Sequence, residues 1–315
     1  MNDRSTTSHA DRAPVPDAPT GTAEPGSDRS STSATVTAPP PETVLTPRGV
    51  IRESLILAQR SLTKTRRNPG EQMDALIMPI MFLVMFVYLF GGAVADSRDE
   101  YVQYLFPGIL VMTTILAGLL ATGLHINIDI KKGVFDRFRS LPIARGAPLI
   151  GSVLGDMIRY VIAVVTVFAV AYLMGFRVET DLASALGAVL LCVALGFSLS
   201  WLSVFIGVAV KDENVVTTVA FLGIFPLTFG TDMVAPKETL PGWLQAWTDI
   251  NPVSHAMDAT RGLLLDNPAA GSAASTAAST AANSVAESVT ATLLWSAGFL
   301  VAFGALAMYA YRRRA

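Results

Sequence analysis

The sequence predicts an all-α integral membrane protein of six transmembrane helices, with both termini on one basic side. Three observations carry this. Six runs are long and apolar enough to span a bilayer, whose hydrocarbon core of about 30 Å takes about 20 residues of helix. Lys and Arg fall in alternate connections between those runs. The 315 residues are 51% hydrophobic with a mean hydropathy of +0.48, although two polar stretches dilute both figures.

Residues 1–46 are rich in Pro, Ser, Thr, Ala and Asp and show no apolar periodicity. Such a segment cannot bury enough surface to offset its ordering entropy, so it is expected to be a disordered tail. It also lacks the apolar core of a cleaved export signal. Residues 47–70 are expected to form an amphipathic helix at the membrane surface. Ile51, Leu55, Ala58 and Leu62 recur at helical spacing, opposite Arg60, Lys64 and Arg67, and Asn68-Pro69-Gly70 ends the pattern. That composition suits a helix lying among anionic headgroups, and it also serves as a plain positive anchor.

The expected spans are about 73–93, 104–127, 153–175, 182–209, 214–231 and 289–310. Backbone groups in lipid must be satisfied within the segment, which makes these helices. Bases cluster before the first span (Arg48, Arg52, Arg60, Lys64, Arg66, Arg67), between the second and third (Lys131, Lys132, Arg137, Arg139, Arg145), at Lys211, and at Arg312, Arg313 and Arg314. The intervening connections carry Asp96, Asp99, Glu100, Glu179 and Asp181. The bias of bases toward the cytoplasm then predicts that both termini are cytoplasmic.

Two connections hold more than a linker needs. Residues 131–145, KKGVFDRFRSLPIAR, mix bases with Phe135 and Phe138, which lie three apart and share a helix face. Aromatic and Arg anchors of this kind dominate protein interfaces. Burial of the two rings among lipid headgroups is the plain alternative. Residues 232–265 are expected to form two short helices, one carrying Trp243 and Trp247 and one beginning at Asn251-Pro252 with Arg261 near its end. Asn is a good N-cap and Pro suits the first helical position. A hairpin dipping into the outer leaflet and a folded extracellular cap both fit. Residues 267–288 are an Ala/Ser/Thr low-complexity stretch, expected to be an extracellular loop.

No phosphate-binding loop, dinucleotide fingerprint, zinc-protease motif or nucleophile elbow is present. Cys192 is the single cysteine, and His9, His125 and His255 are far apart, so a metal cluster is not expected. Asp74, Asp129, Asp156, Arg159, Asp212 and Glu213 lie near predicted span ends, where water is within reach. Hydroxyls such as Thr113, Thr122, Ser200 and Ser203 usually satisfy helix backbone or link helices in membranes.

Three segments give the chain a family resemblance. KKGVFDRFRSLPIAR (131–145) is similar to the basic-acidic loop after the second span of ABC-2 type ABC transporter permeases of the drug-resistance exporter type. YLFPGILVM (104–112) resembles the start of that family's second span, and LPGWLQAWTDINPVSHAMDATRGLL (240–264) its region before the last span. The resemblance covers about residues 48–312, with Asp136 where Glu is common and Val134 where Thr is common.

The resemblance implies a bacterial cytoplasmic-membrane permease subunit that is itself not an enzyme. ATP and magnesium would be bound by a separate ABC ATP-binding subunit, with no cofactor in this chain. A coupling helix would dock there through Lys132, Gly133, Phe135, Asp136, Arg137, Phe138, Arg139 and Pro142. The extracellular hairpin would hold Trp243, Asn251, Pro252 and Arg261. A second permease copy, membrane lipid and a hydrophobic small-molecule cargo would be its partners, and nucleic acid would not. A lipid or glycan-precursor cargo is the alternative within the family. An ion- or proton-coupled secondary transporter is the alternative outside it, and would require broken inverted repeats and intramembrane charges.

Overall fold

The computed structural model describes residues 56, 58–59, 69–95, 97–139, 146–234, 237–265 and 278–314. Side chains of residues 69, 71–75, 136, 138, 139, 278–283 and 314 fall outside that description. The expected tail at 1–46 lies outside the described residues, as does nearly all of the expected surface helix at 47–70.

The described residues are helical throughout, with no strand among them. In chain order they form α1 (Pro69–Phe90), α2 (Arg98–Lys131), α3 (Val134–Arg139), α4 (Ala147–Leu173), α5 (Leu182–Ala209), α6 (Glu213–Phe229), α7 (Gly242–Thr248), α8 (Pro252–Leu264) and α9 (Ala278–Arg314). Four stretches are long and apolar enough to cross a membrane: Arg98–Lys131, Ala147–Leu173, Leu182–Ala209 and Ser284–Arg313. Leu76–Phe90 and Glu213–Phe229 are apolar but shorter. At 1.5 Å per residue, the 17 residues of α6 reach about 26 Å, just under the hydrocarbon thickness.

Polar caps set several helix starts. The Ser97 hydroxyl accepts from Glu100 N–H, and Asp181, Asp212 and Asn251 accept from the first turns of α5, α6 and α8. Each satisfies a backbone donor that the helix itself leaves open. The start of α9 departs from expectation, since its backbone is helical from Ala278, inside the stretch expected to be a loop. Alanine has the highest helix propensity, and the apolar run behind it supplies a helix to extend.

The helices alternate in direction between two ends of a bundle. At one end, the segment after α6 receives Tyr101 Oη on Val234 O (3.0 Å) and Tyr104 Oη on Asp232 O (2.6 Å), and Thr180 Oγ1 donates to Leu263 O (2.7 Å). At the other end, Asn127 Nδ2 donates to Gly207 O (2.9 Å) and Val210 O (2.7 Å), and Lys131 Nζ to Glu213 Oε1 (3.0 Å). α2 runs between these ends through the middle of the bundle, and its window is the most buried of the four.

Between two apolar helices in lipid, close backbone approach and polar links replace the hydrophobic drive. α2 and α5 meet this way. A Cβ on Gly118 would lie 2.5 Å from Gly196 O, and one on Gly207 would overlap the Gly123 carbonyl. At this seam α2 widens into a π-helical stretch, Leu116–Ala121. The cause is a single hydroxyl. Ser203 Oγ accepts from Gly123 N–H (2.8 Å) and donates to Leu119 O. Those two backbone groups would bond each other in a regular α-helix, so Ser203 stands inside the ladder of α2.

Candidate functional site

The loop after α2 begins with a helix stop. Lys132 N–H and Gly133 N–H donate to Ile128 O and Ile130 O, each at 3.0 Å, and Gly133 has φ 68°. That left-handed geometry carries a steric penalty for residues with a Cβ, which is why glycine ends helices this way. The turn throws α3 off sharply, and Arg137 N–H returns to Gly133 O at 3.3 Å.

Phe135 does not face outward. It is 4% exposed and packs among Ile126, Leu149, Val204, Val208 and Ala307. In this fold the Phe135 ring is turned toward the bundle rather than outward to a partner. Helical spacing says that two rings share a face but not which body that face meets, and here α2, α4, α5 and the C-terminal part of α9 supply the body around Phe135. Lys132 and Arg137 are exposed, as are Lys131, Lys211, Arg312 and Arg313 at the same end. The backbone of Asp136, Phe138 and Arg139 belongs to α3; their side chains, and all of Pro142, lie outside the described residues.

The opposite end holds a buried ionic cluster. Arg261, 5% exposed on α8, donates from Nη1 to Asp232 Oδ2 and to Asp258 Oδ1, both at 3.1 Å. Its guanidinium lies 4.4 Å over the Tyr104 ring. Burial alone would lower the Arg261 pKa, but the carboxylates outweigh it and the net shift is upward, so the charge is held. Asp258 keeps 48% of its side-chain exposure. Its carboxyl is pushed up to about 6 by lost hydration and by Asp232, against the pull of Arg261 and Lys237.

Asn251 caps α8 through Val253 N–H (3.0 Å), and its Nδ2 donates to Leu227 O (2.9 Å), tying α8 to the end of α6. Pro252 is buried at the first position of α8. Trp243 is 73% exposed on α7, well apart in environment from the other three residues expected in this region. The sequence marked Arg261 but not its partners, because Asp232 and Tyr104 come from distant segments. A lone Arg on an otherwise apolar helix face was the available sign that a carboxylate must lie opposite.

A second buried pair lies inside the bundle. Arg159 Nη2 sits 3.2 Å from Asp156 Oδ2, and Arg159 Nη1 is 3.0 Å from His125 Nδ1. Arginine has only donors to offer, so His125 accepts at Nδ1 and keeps its proton on Nε2. Both Asp156 and Arg159 are 5% exposed, which corrects the expectation that they reach water. α4 starts at Ala147 rather than near residue 153, so this pair lies more than two turns inside the helix. Among the described residues no group of His, Cys, Asp and Glu is arranged to hold a metal ion.

The ABC-2 type transporter family profile matches residues 52–265, which include α1 through α8 and the turn at Gly133. This chain belongs to the ABC-2 type transporter family. The daunorubicin resistance ABC transporter permease protein DrrB1 of Streptomyces coeruleorubidus is 42% identical over 205 residues, covering 65% of this ABC-2 chain and 72% of the relative. The doxorubicin resistance ABC transporter permease protein DrrB of Mycobacterium tuberculosis H37Rv is 25% identical over 229 residues, 70% of this chain and 78% of the relative. The basic loop and the Arg261 region, on which the resemblance first rested, thus both fall within the matched ABC-2 segment.

Proposed function

We propose that this chain is the permease subunit of an ATP-driven exporter, performing no chemistry itself. The family match over residues 52–265 carries the reading. The six apolar helices, α1, α2, α4, α5, α6 and α9, each cross the bacterial cytoplasmic membrane, α1 with little length to spare and α6 with its flanking caps completing the span. Exposed Lys131, Lys132, Arg137, Lys211, Arg312 and Arg313 at the α3 end support placing that end, and both termini, in the cytoplasm. The α8 end, with Arg261, Trp243, Asn251 and Pro252, is then extracellular.

A separate ABC ATP-binding subunit supplies ATP and magnesium chemistry and docks on α3. With Phe135 turned inward, the docking contacts come from Lys132, Arg137 and the remaining outer surface of the loop. Two permease copies flank the path. The cargo is a hydrophobic or amphipathic compound, and the relatives' named association with daunorubicin and doxorubicin resistance favours a drug of that kind. The two buried ionic groups pair their carboxylates with Arg261 and Arg159, which does not favour a ladder of proton-carrying acids.

The test is drug accumulation in a sensitive bacterial host expressing this chain with its ATP-binding partner. Daunorubicin retention is expected to fall with the intact pair and to return when the partner's phosphate loop is disabled. Equal retention in both strains counts against a drug exporter.

A further inference from the structure

The outer side of α4 carries an open groove of about 520 Å³, almost wholly apolar, lined by Val165, Phe168, Tyr172, Leu173 and, from α5, Val189. Its lining runs over residues 164–173 of α4, about 14 Å of helix. Val165, Tyr172 and Leu173 are exposed there.

The groove ends beneath a cation. Gly175, at φ 111°, turns the chain back over the end of α4. That brings the Arg177 guanidinium 4.3 Å above the Tyr172 ring. Arg177 Nη1 donates to Tyr172 O and to Phe176 O, each at 2.8 Å, one carbonyl in the last turn of the helix and one just past its end. The side chain is thus fixed by stacking and by two hydrogen bonds. Among the described residues no Asp or Glu forms an ion pair with it. A guanidinium is held in place, no acid among the described residues pairs with it, and an apolar channel leads away from it along α4. The matching ligand has a phosphate at one end and a hydrocarbon chain at the other.

We propose that Arg177, Tyr172 and the groove along α4 form a binding site for one anionic phospholipid, its phosphate on the Arg177 guanidinium and an acyl chain along Phe168 and Leu173. The site rests on α4 crossing the bilayer, and not on which compound the protein exports.

The full-length protein in detergent is titrated with phosphatidylglycerol and, separately, with diacylglycerol bearing the same chains. Phosphatidylglycerol is expected to raise the melting temperature and to appear as a bound adduct in native mass spectrometry, with diacylglycerol giving less than half the shift. Arg177→Gln should melt like wild type without lipid and lose at least half of the phosphatidylglycerol shift, while Arg177→Lys retains most of it. Val165→Trp, which fills the groove and leaves the charge alone, should also lose at least half, and decides the matter if Arg177→Gln folds poorly. Equal shifts from both lipids, or an undiminished shift in both variants, overturn the site. So does near-complete disulfide capture of a second copy by Val165→Cys, which would make the groove a subunit interface. Drug accumulation is a separate readout, so failure of export and failure of lipid binding are distinguishable.

Discussion

Phe135 meets Tyr311 edge-on, with ring centroids 5.7 Å apart and planes at 66°. The contact joins α3 to the C-terminal turns of α9, 176 residues later in the chain. The start of the basic loop is therefore bolted to the bundle by one aromatic ring while Lys132 and Arg137 stay outside.

This division predicts two different phenotypes. Phe135→Ala removes a buried ring and an aromatic pair, a loss of about 3 kcal/mol or more in a packed site. It should lower the melting temperature and the yield of inserted protein. Arg137→Glu changes an exposed side chain and should shift stability by about 0.5 kcal/mol or less. It should instead weaken co-purification of the ATP-binding partner. If Phe135→Ala melts like wild type, the ring is not structural.

Arg261 should prove indispensable to folding of the α8 end. Arg261→Ala strands Asp232 beside a buried site, and removal of one partner from a buried ion pair costs about 3–5 kcal/mol. Arg261→Met combined with Asp232→Asn and Asp258→Asn should recover much of that loss, since no buried charge remains. Thermal melting of the set gives the coupling between sites. Simple additivity of the three single effects would contradict the cluster.

The Asp258 carboxyl gives a pH signature. Its pKa in the fold is about 6, above the 3.8 of the free side chain, so the folded protein binds this proton more tightly than the unfolded one. Its contribution to stability is fully present below about pH 4 and is lost as pH rises through about 6. Between those values wild type should lose melting temperature, and Asp258→Asn should lose less of it. Parallel curves would assign the slope to another group.

Ser203 can be tested by subtraction. Ser203→Ala leaves Gly123 N–H and Leu119 O free to bond directly, so the cost should be small, about 0.6–2 kcal/mol for a membrane hydrogen bond. Amide exchange at Gly123 should slow as the regular ladder closes. Gly207→Val, which forces a side chain into the Gly123 carbonyl, should abolish assembly of the bundle.

Among the described residues, hydropathy located the four long apolar helices and the two shorter ones, because each is a run that water would not solvate. It placed their ends less well. α2 begins at Arg98, where Asp99 and Glu100 occupy a capped first turn that no apolar scale would include. α4 begins at Ala147, and that shift of about 1.7 turns is what hides Asp156 and Arg159. The site was legible only in part for a related reason. Gly133, Asn251 and Pro252 act through local backbone geometry, which a single sequence carries. Phe135, Arg261 and Ser203 act through Tyr311, Asp232 and Leu119, which lie 176, 29 and 84 residues away, and periodicity alone does not choose among distant faces.

Because Ser203 clasps α2 at Leu119 and Gly123, the 34-residue rod is held off-centre. About 15 Å of helix lies between the clasp and Lys131, and about 35 Å between the clasp and Arg98. A rod pinned there is a lever with a short driven arm and a long output arm. Small motions imposed at Gly133 should reappear roughly twofold larger, and reversed in direction, near Tyr101. Paired spin labels at the two ends, followed through the ATP cycle, should show that ratio, and equal displacements would mean that the rod slides rather than pivots.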